Sequence, residues 1–339
     1  MAANGSYGFN GEFVRIRLYN GRESPYRHDH AVVSILNSGW ATPGNPNNAL
    51  TTPMLKEFSQ ALDWLRKQNV EYGVINWNGP TTGSGMSLDE FDEKLTGPNF
   101  ERWWAEHLDR AVEIVLKARA IPYHTISTIR GTRLTYNSNN RAVYLPAVFG
   151  GSVELPLAFR EVIIGDTTRL CYPESGYGAV PGLGGVALTY ERTGRHNTEM
   201  LVATGGTIDG TIANKIGMAD RVVPDSDVSK AVYEVIQSGE KRGRKRSEFE
   251  LQEKDIDLSG RRFLPERSVL NVIPGMMSQI EVAYRARGLE GALKVNRDVC
   301  FELGLSDVFR ENVFEFQRQE RERRIRQLEE IARTEETAR

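Results

Sequence analysis

The chain has only two cysteines in 339 residues, Cys171 and Cys300. Two thiols build neither a disulfide framework nor a zinc site, so a reducing, cytoplasmic setting is expected. Histidine is also sparse. Of His28, His30, His107, His124 and His196, only His28-Asp29-His30 approaches ligand spacing, and it lies in a polar, turn-like segment, so no metal is expected. No apolar run approaches the roughly 20 residues of a membrane-spanning helix. The start, MAANGSYGFNG, lacks the apolar stretch of a secretion signal. Charge of one sign is missing too: 43 basic residues offset 45 acidic ones, a net charge of −2, so nothing points to nucleic-acid or membrane partners. There is no Gly-x-Gly-x-x-Gly in dinucleotide-binding context, no Walker-type phosphate loop and no Gly-x-Ser-x-Gly elbow, since Gly83-Ser84-Gly85 lacks that spacing. Nicotinamide, ATP and serine-hydrolase chemistry are therefore disfavoured.

What is present concentrates between Phe149 and Gly185, FGGSVELPLAFREVIIGDTTRLCYPESGYGAVPGLGG. Two glutamates, Glu154 and Glu174, stand beside glycines in an otherwise apolar stretch. A Gly-Gly pair before a helix start leaves backbone N–H groups unpaired and lets a ligand approach without meeting a Cβ atom. Glu154 follows Gly151 by three positions, so a helix starting near Ser152 puts its carboxylate in the first turn, close to those donors. Arg169 to Tyr172 reads as a short strand that Pro173 stops, leaving Glu174 at a strand end. Any single glutamate is more often a solvated surface residue. The combination is what points to acid/base chemistry.

Elsewhere strands and helices alternate as in a layered α/β fold. Thr51 to Lys67 has a threonine start, an early proline and apolar residues at Met54, Leu55, Phe58, Leu62 and Leu65, which is helical spacing. Phe100 to Arg119 reads as a second long helix, with Trp103, Trp104, Leu108, Ala111, Val112 and Val115 on its apolar face. Its tryptophans are more often core or subunit contacts than cofactor stackers. Tyr72 to Trp77 reads as a strand. Ser238 to Pro265 shifts to dense charge and reads as an exposed insertion or linker. Arg310 to Arg339 is helical in composition with a heavily charged second half, expected to fray or pack on another subunit.

The central segment resembles the crotonase, or enoyl-CoA hydratase/isomerase, superfamily. Its hydratase members carry Gly-Gly-Gly-x-x-Glu, a second glutamate in Pro-Glu twenty residues later, and then Pro-Gly-x-Gly-Gly. Gly150, Gly151, Glu154, Pro173, Glu174, Pro181, Gly182, Gly184 and Gly185 meet that pattern in order, with Ser152 in place of the third glycine. Val32 to Leu50 is similar to the family's N-terminal strand and Asn-Ala-Leu helix entry. Thr204 to Pro224 is similar to its helix and Val-Val-Pro strand. Ser306 to Arg318 is a looser match to the C-terminal helix. Two departures stand out: Met86 and Ser87 in the loop Ser84 to Leu88, where the family has Ala-Gly-Ala-Asp-Leu, and an inserted Arg130 to Tyr144 expected to be a polar loop after a strand ending near Ile129.

The resemblance implies an α/β, crotonase-type fold of repeated ββα units forming a layered superhelical core, with a C-terminal helical region. The expected divisions are a catalytic core over 1–225 with the inserted loop 130–144, a helix and charged linker over 226–270, and C-terminal helices over 271–339. It implies backbone N–H groups of Met86 and Gly151 as an oxyanion hole, Glu154 and Glu174 as acid/base pair, and Gly182 positioning a water. The expected function is syn hydration of a 2-enoyl-CoA or its reverse. Carbon–carbon bond cleavage or hydrolysis, decarboxylation and isomerisation of an acyl thioester are the alternatives, for which Met86 and the insertion speak. A non-catalytic acyl-thioester or RNA binder is less favoured, having no need of both glutamates. The substrate would be an acyl-CoA or acyl-carrier thioester, with no separate cofactor, since CoA is part of it. The loop 130–144 would cap the acyl pocket, touch a neighbouring subunit or decorate the surface. The cluster at Lys241 to Arg246 would be solvated or meet the CoA phosphates. A homo-oligomer, trimer or hexamer, is implied.

Overall fold

The computed structural model describes residues 6–21, 28–35, 49–77, 82–131, 133–136, 142–145, 147–241, 247–259 and 264–337. The chain opens with strands β1 (Ser6–Asn10), β2 (Val14–Tyr19) and β3 (His30–Ile35), then helix α1 (Thr52–Leu65), β4 (Tyr72–Trp77), α2 (Leu88–Leu95), α3 (Phe100–Arg119) and β5 (His124–Ile129). Next come β6 (Arg133–Tyr136), β7 (Ala142–Leu145), β8 (Ala147–Phe149), the single turn α4 (Gly151–Glu154), β9 (Glu161–Gly165) and β10 (Arg169–Cys171). The order ends with α5 (Gly185–Thr204), β11 (Thr207–Asp209), α6 (Gly210–Lys215), β12 (Arg221–Val223), α7 (Val228–Ser238), α8 (Arg267–Gly304) and α9 (Asp307–Thr337).

Seven strands form the main sheet in the order β1-β2-β3-β4-β5-β9-β12. β1 to β3 pair antiparallel, and β3 through β12 pair parallel. Parallel strands need cover on both faces, and β5 and β9 are buried along their whole length. Alternation then sorts side chains: Val74, Ile126 and Ile163 face α7, where Val228, Val232, Val235 and Ile236 meet them, while Ile75, Val162 and Ile164 join the larger core. α1 begins as its sequence dictates, with the Thr51 hydroxyl accepting from the Met54 N–H. Leu55 and Phe58, fully buried in the larger core, contribute roughly 2–3 kcal/mol each.

A smaller sheet, β11-β10-β8, stands apart and carries the glycine-rich turns. β8 runs parallel to β10, pairing Phe149 with Cys171, so the chain ends that follow them emerge side by side. The inserted segment departs from expectation. β5 does end at Ile129, but β6 and β7 then pair antiparallel from Arg133↔Leu145 to Tyr136↔Ala142, so the insertion is a β-hairpin and not a plain loop. Asn137 to Asn140, which cannot sit inside a strand, lie outside the described residues, as do 36–48 of the N-terminal match and 242–246 of the basic cluster. Among the described residues, no helix is long and apolar enough to cross a membrane.

Candidate active site

The turn after β8 can be built only from glycine. Gly150 takes φ +48, and an added Cβ would lie 2.4 Å from Glu174 Oε1. Its N–H donates to the Cys171 carbonyl at 2.9 Å, which ties the turn to the end of β10. Gly151 is the first residue of α4, so its N–H is one of the orphan donors of a helix start. A second donor comes from the loop before α2. Leu50 donates to the Gly85 carbonyl and accepts from the Ser87 N–H, both at 2.7 Å, so the intervening N–H of Met86 turns away from Leu50. The two donor loops touch: Gly85, at φ +86, puts its open Cβ position 3.6 Å from the Gly151 nitrogen.

Ser152, the substituted third glycine, joins these loops. Its buried hydroxyl accepts from the Gly85 N–H at 3.1 Å. Removing the hydroxyl strands a buried donor, so Ser152→Ala should lower stability by about 1–2 kcal/mol. A urea melt reads this directly; an unchanged midpoint would show the bond to be dispensable.

Glu154, only 1% exposed, ends α4 and reaches the start of α5, where its Oε2 accepts from the Gly185 N–H at 2.7 Å. A Cβ at position 185 would fall 2.5 Å from Glu154 Cγ, which explains that glycine. Glu174 lies in the turn Pro173–Tyr177 after β10, and its Oε2 is buried with no hydrogen-bond partner. Burial, and then the neighbouring Glu174, hold the Glu154 carboxyl well above the ordinary carboxylate range, against the pull of the Gly185 and Leu183 N–H groups. Burial also pushes the Glu174 carboxyl up to about 8. Two carboxyls interacting in this way titrate as a pair.

Asn296, a fully buried residue of α8 to which sequence reading assigned no role, completes the frame. Its Oδ1 accepts from the Val186 and Ala187 N–H groups at 3.1 and 3.3 Å, and its Nδ2 donates to the Pro181 carbonyl at 2.8 Å. The first three donors of α5 are thus divided between Glu154 and one amide, which also holds the Pro181-Gly182 turn. Nothing along the chain marks it, since it stands among Lys294, Arg297 and Asp298. Asn296→Leu leaves three buried polar groups unsatisfied and should destabilise by about 3–5 kcal/mol. A shift of the denaturation midpoint worth less than about 1 kcal/mol would contradict it.

All five residues singled out from the sequence, Met86, Gly151, Glu154, Glu174 and Gly182, line one cavity. It holds about 760 Å³ of space outside protein atoms, the open mouth included. Much of the remaining lining is apolar and comes from elements to which sequence reading assigned no site residue: Trp104 and His107 of α3, Cys300 of α8, and Phe309 and Val313 of α9. Trp104 and Phe309 stack with ring centroids 6.3 Å apart, and Phe91 meets Phe309 edge-on at 5.2 Å. The Cys300 thiol, with Sγ donating to the Val180 carbonyl, is raised by burial and by both glutamates. The His28-Asp29-His30 segment lies elsewhere, with His28 Nδ1 2.9 Å from Glu71. Among the described residues, no group of three or more His, Cys, Asp or Glu is placed to hold a metal ion. Lys241, first of the basic cluster, sits with Nζ 5.3 Å from the Tyr72 ring centroid.

The Mycobacterium tuberculosis protein named "Probable enoyl-CoA hydratase echA8" is 34% identical over 187 residues, covering 53% of this chain and 62% of that protein. The fatty acid oxidation complex subunit alpha of Psychrobacter sp. is 24% identical over 219 residues, 62% of this chain and 28% of its own. The chain thus spans less than two thirds of the length of these relatives. An enoyl-CoA hydratase structure from Bacillus halodurans superposes with a TM-score of 0.61 over 90% of this chain and all of its own, at 13% identity, a likeness of fold. A Thermobifida fusca protein solved in complex with acetoacetyl-CoA gives a TM-score of 0.50 at 25% identity, over 70% of this chain and 80% of its own. Residues 42–249, which contain both glutamates and both donor loops, match the model of the enoyl-CoA hydratase/isomerase family. The fold and that match, extending over more than half of the chain, agree: the protein belongs to the enoyl-CoA hydratase/isomerase family.

Proposed function

We propose that the protein adds water to the double bond of a 2-enoyl-CoA, or removes it in reverse. One observation carries this reading: two carboxyls with raised proton affinity share a cavity with two backbone donors from separate loops. The N–H groups of Met86 and Gly151 hold the thioester oxygen. As the oxygen of water bonds to Cβ, the π electrons move toward Cα and the carbonyl, and the two donors stabilise the charge that develops on oxygen. Each good donor is worth about 2.7–4 kcal/mol in such a site. One carboxylate of the pair takes a proton from the water, and the other, protonated, gives its proton to Cα on the same face. The pair ends with its proton count unchanged. The N–H of Gly182, held in place through Pro181 and Asn296, positions the water.

A CoA thioester as ligand is supported by the acetoacetyl-CoA complex of the Thermobifida fusca relative. Incubation with crotonyl-CoA and with an aryl-acryloyl-CoA, following loss of the enoyl absorbance, tests the assignment. Loss of absorbance with appearance of the hydroxyacyl product is expected. Conversion of another thioester by cleavage, decarboxylation or isomerisation, with crotonyl-CoA untouched, would replace hydration by that reaction.

A further inference from the structure

His107 lines the cavity from α3 and is 2% exposed. Its Nδ1 lies 3.5 Å from the Thr52 hydroxyl at the start of α1, and its Nε2 is buried without any hydrogen-bond partner. The ring is clamped: it stacks on Trp104 with an interplanar angle of 16° and a centroid distance of 5.8 Å, and tilts against Trp103 at 5.3 Å. The mechanism above uses none of its atoms. Burial first and then Arg110 act on its ring. Those same influences push the imidazole down to about 4, so near neutral pH it is uncharged. A neutral, immobilised imidazole thus adds one partnerless nitrogen, closed to water, to a lining that also includes Phe91, Trp104, Phe309 and Val313. A buried polar atom without a partner costs free energy until something supplies one.

Resting on the hydratase reading, we propose that His107 selects an acyl group bearing a hydroxyl, over a plain alkyl chain of the same size. A hydroxyl suits the site because it both donates and accepts, and so pairs with Nε2 in either tautomer that Thr52 holds. An alkyl end would fill the same apolar space but leave Nε2 unpaired. Sites built to bind a substrate hydroxyl discriminate by this means.

The test uses a matched pair of 2-enoyl-CoA thioesters, one ending in a hydroxyl and the other in a methyl group at the same position. The wild-type protein should favour the hydroxyl substrate by about tenfold or more in kcat/KM. His107→Phe, which keeps an aromatic ring and removes both nitrogens, should bring the ratio close to one, while His107→Gln should retain most of it. A wild-type ratio near one would overturn the proposal without any variant. So would a preference that survives in a folded His107→Phe. Competition binding of the saturated hydroxylated and plain acyl-CoAs keeps the result independent of the reaction. A His107-dependent preference in binding with no hydration sinks the hydratase reading alone, and equal binding of the two sinks this one.

Discussion

Replacing either glutamate of the pair should abolish most of the hydration of crotonyl-CoA: Glu154→Gln and Glu174→Gln are each expected to lower kcat by about 10³-fold, within the range that positioned acids and bases supply. KM should change little, since in the proposed mechanism the thioester oxygen is held by main-chain donors that neither substitution touches. The glutamine amide at position 154 still offers an oxygen to the Gly185 N–H, so the start of α5 keeps its partner. Because the two carboxyls act as a unit, the double variant should be scarcely worse than the singles. Stopped-flow turnover with thermal melts of each variant reads both parts. A folded single variant within tenfold of wild type would remove that glutamate from the chemistry. Additive losses in the double variant would show two independent groups and not a pair.

The Glu174→Gln protein should be the more stable one in alkaline solution. A carboxyl raised to about 8 from an ordinary 4.5 binds its proton more tightly folded than unfolded. Its contribution to stability is therefore full below about 4.5 and is lost as pH rises through about 8. Between those values the native state holds more protons than the unfolded chain, so wild-type stability declines with pH. Glutamine has no proton to lose, and its stability curve should lack this slope. The full shift would correspond to about 5 kcal/mol. Glu174 keeps some exposure, so a gap of about 2 kcal/mol in favour of the variant near pH 9 is the expected result. Urea midpoints at about pH 6 and about pH 9 measure it. Parallel curves for the two proteins would mean that Glu174 is ordinary in its proton affinity. A loss of activity joined to a gain in stability is what a functional group held in an unfavourable place produces.

Much of this site could be read along the chain because its signals are local. Gly150 announces a turn no other residue can make, Pro173 ends β10, and the spacing of Glu154 and Glu174 travels with those turns. α1 and α3 are equally legible, since cap and apolar periodicity lie within each segment; α3 runs from Phe100 to Arg119 as its pattern predicts. The insertion was less so. Arg133–Tyr136 and Ala142–Leu145 are short, and what makes them strands is their pairing with one another, which a polar, asparagine-rich connection conceals.

The amino-acid sequence by itself determined the family, the turn chemistry of the two donor loops and the identity of both glutamates, because backbone conformation and residue type are properties of single positions and near neighbours. Only the tertiary structure decided what surrounds them. Asn296 meets Val186 across 110 positions, the Ser152 hydroxyl reaches Gly85 across 67, and α3, α8 and α9 converge to make the apolar wall with His107 set in it. Such contacts arise from how helices pack over a sheet, and no pattern within a segment records which distant side chain will fill the remaining space.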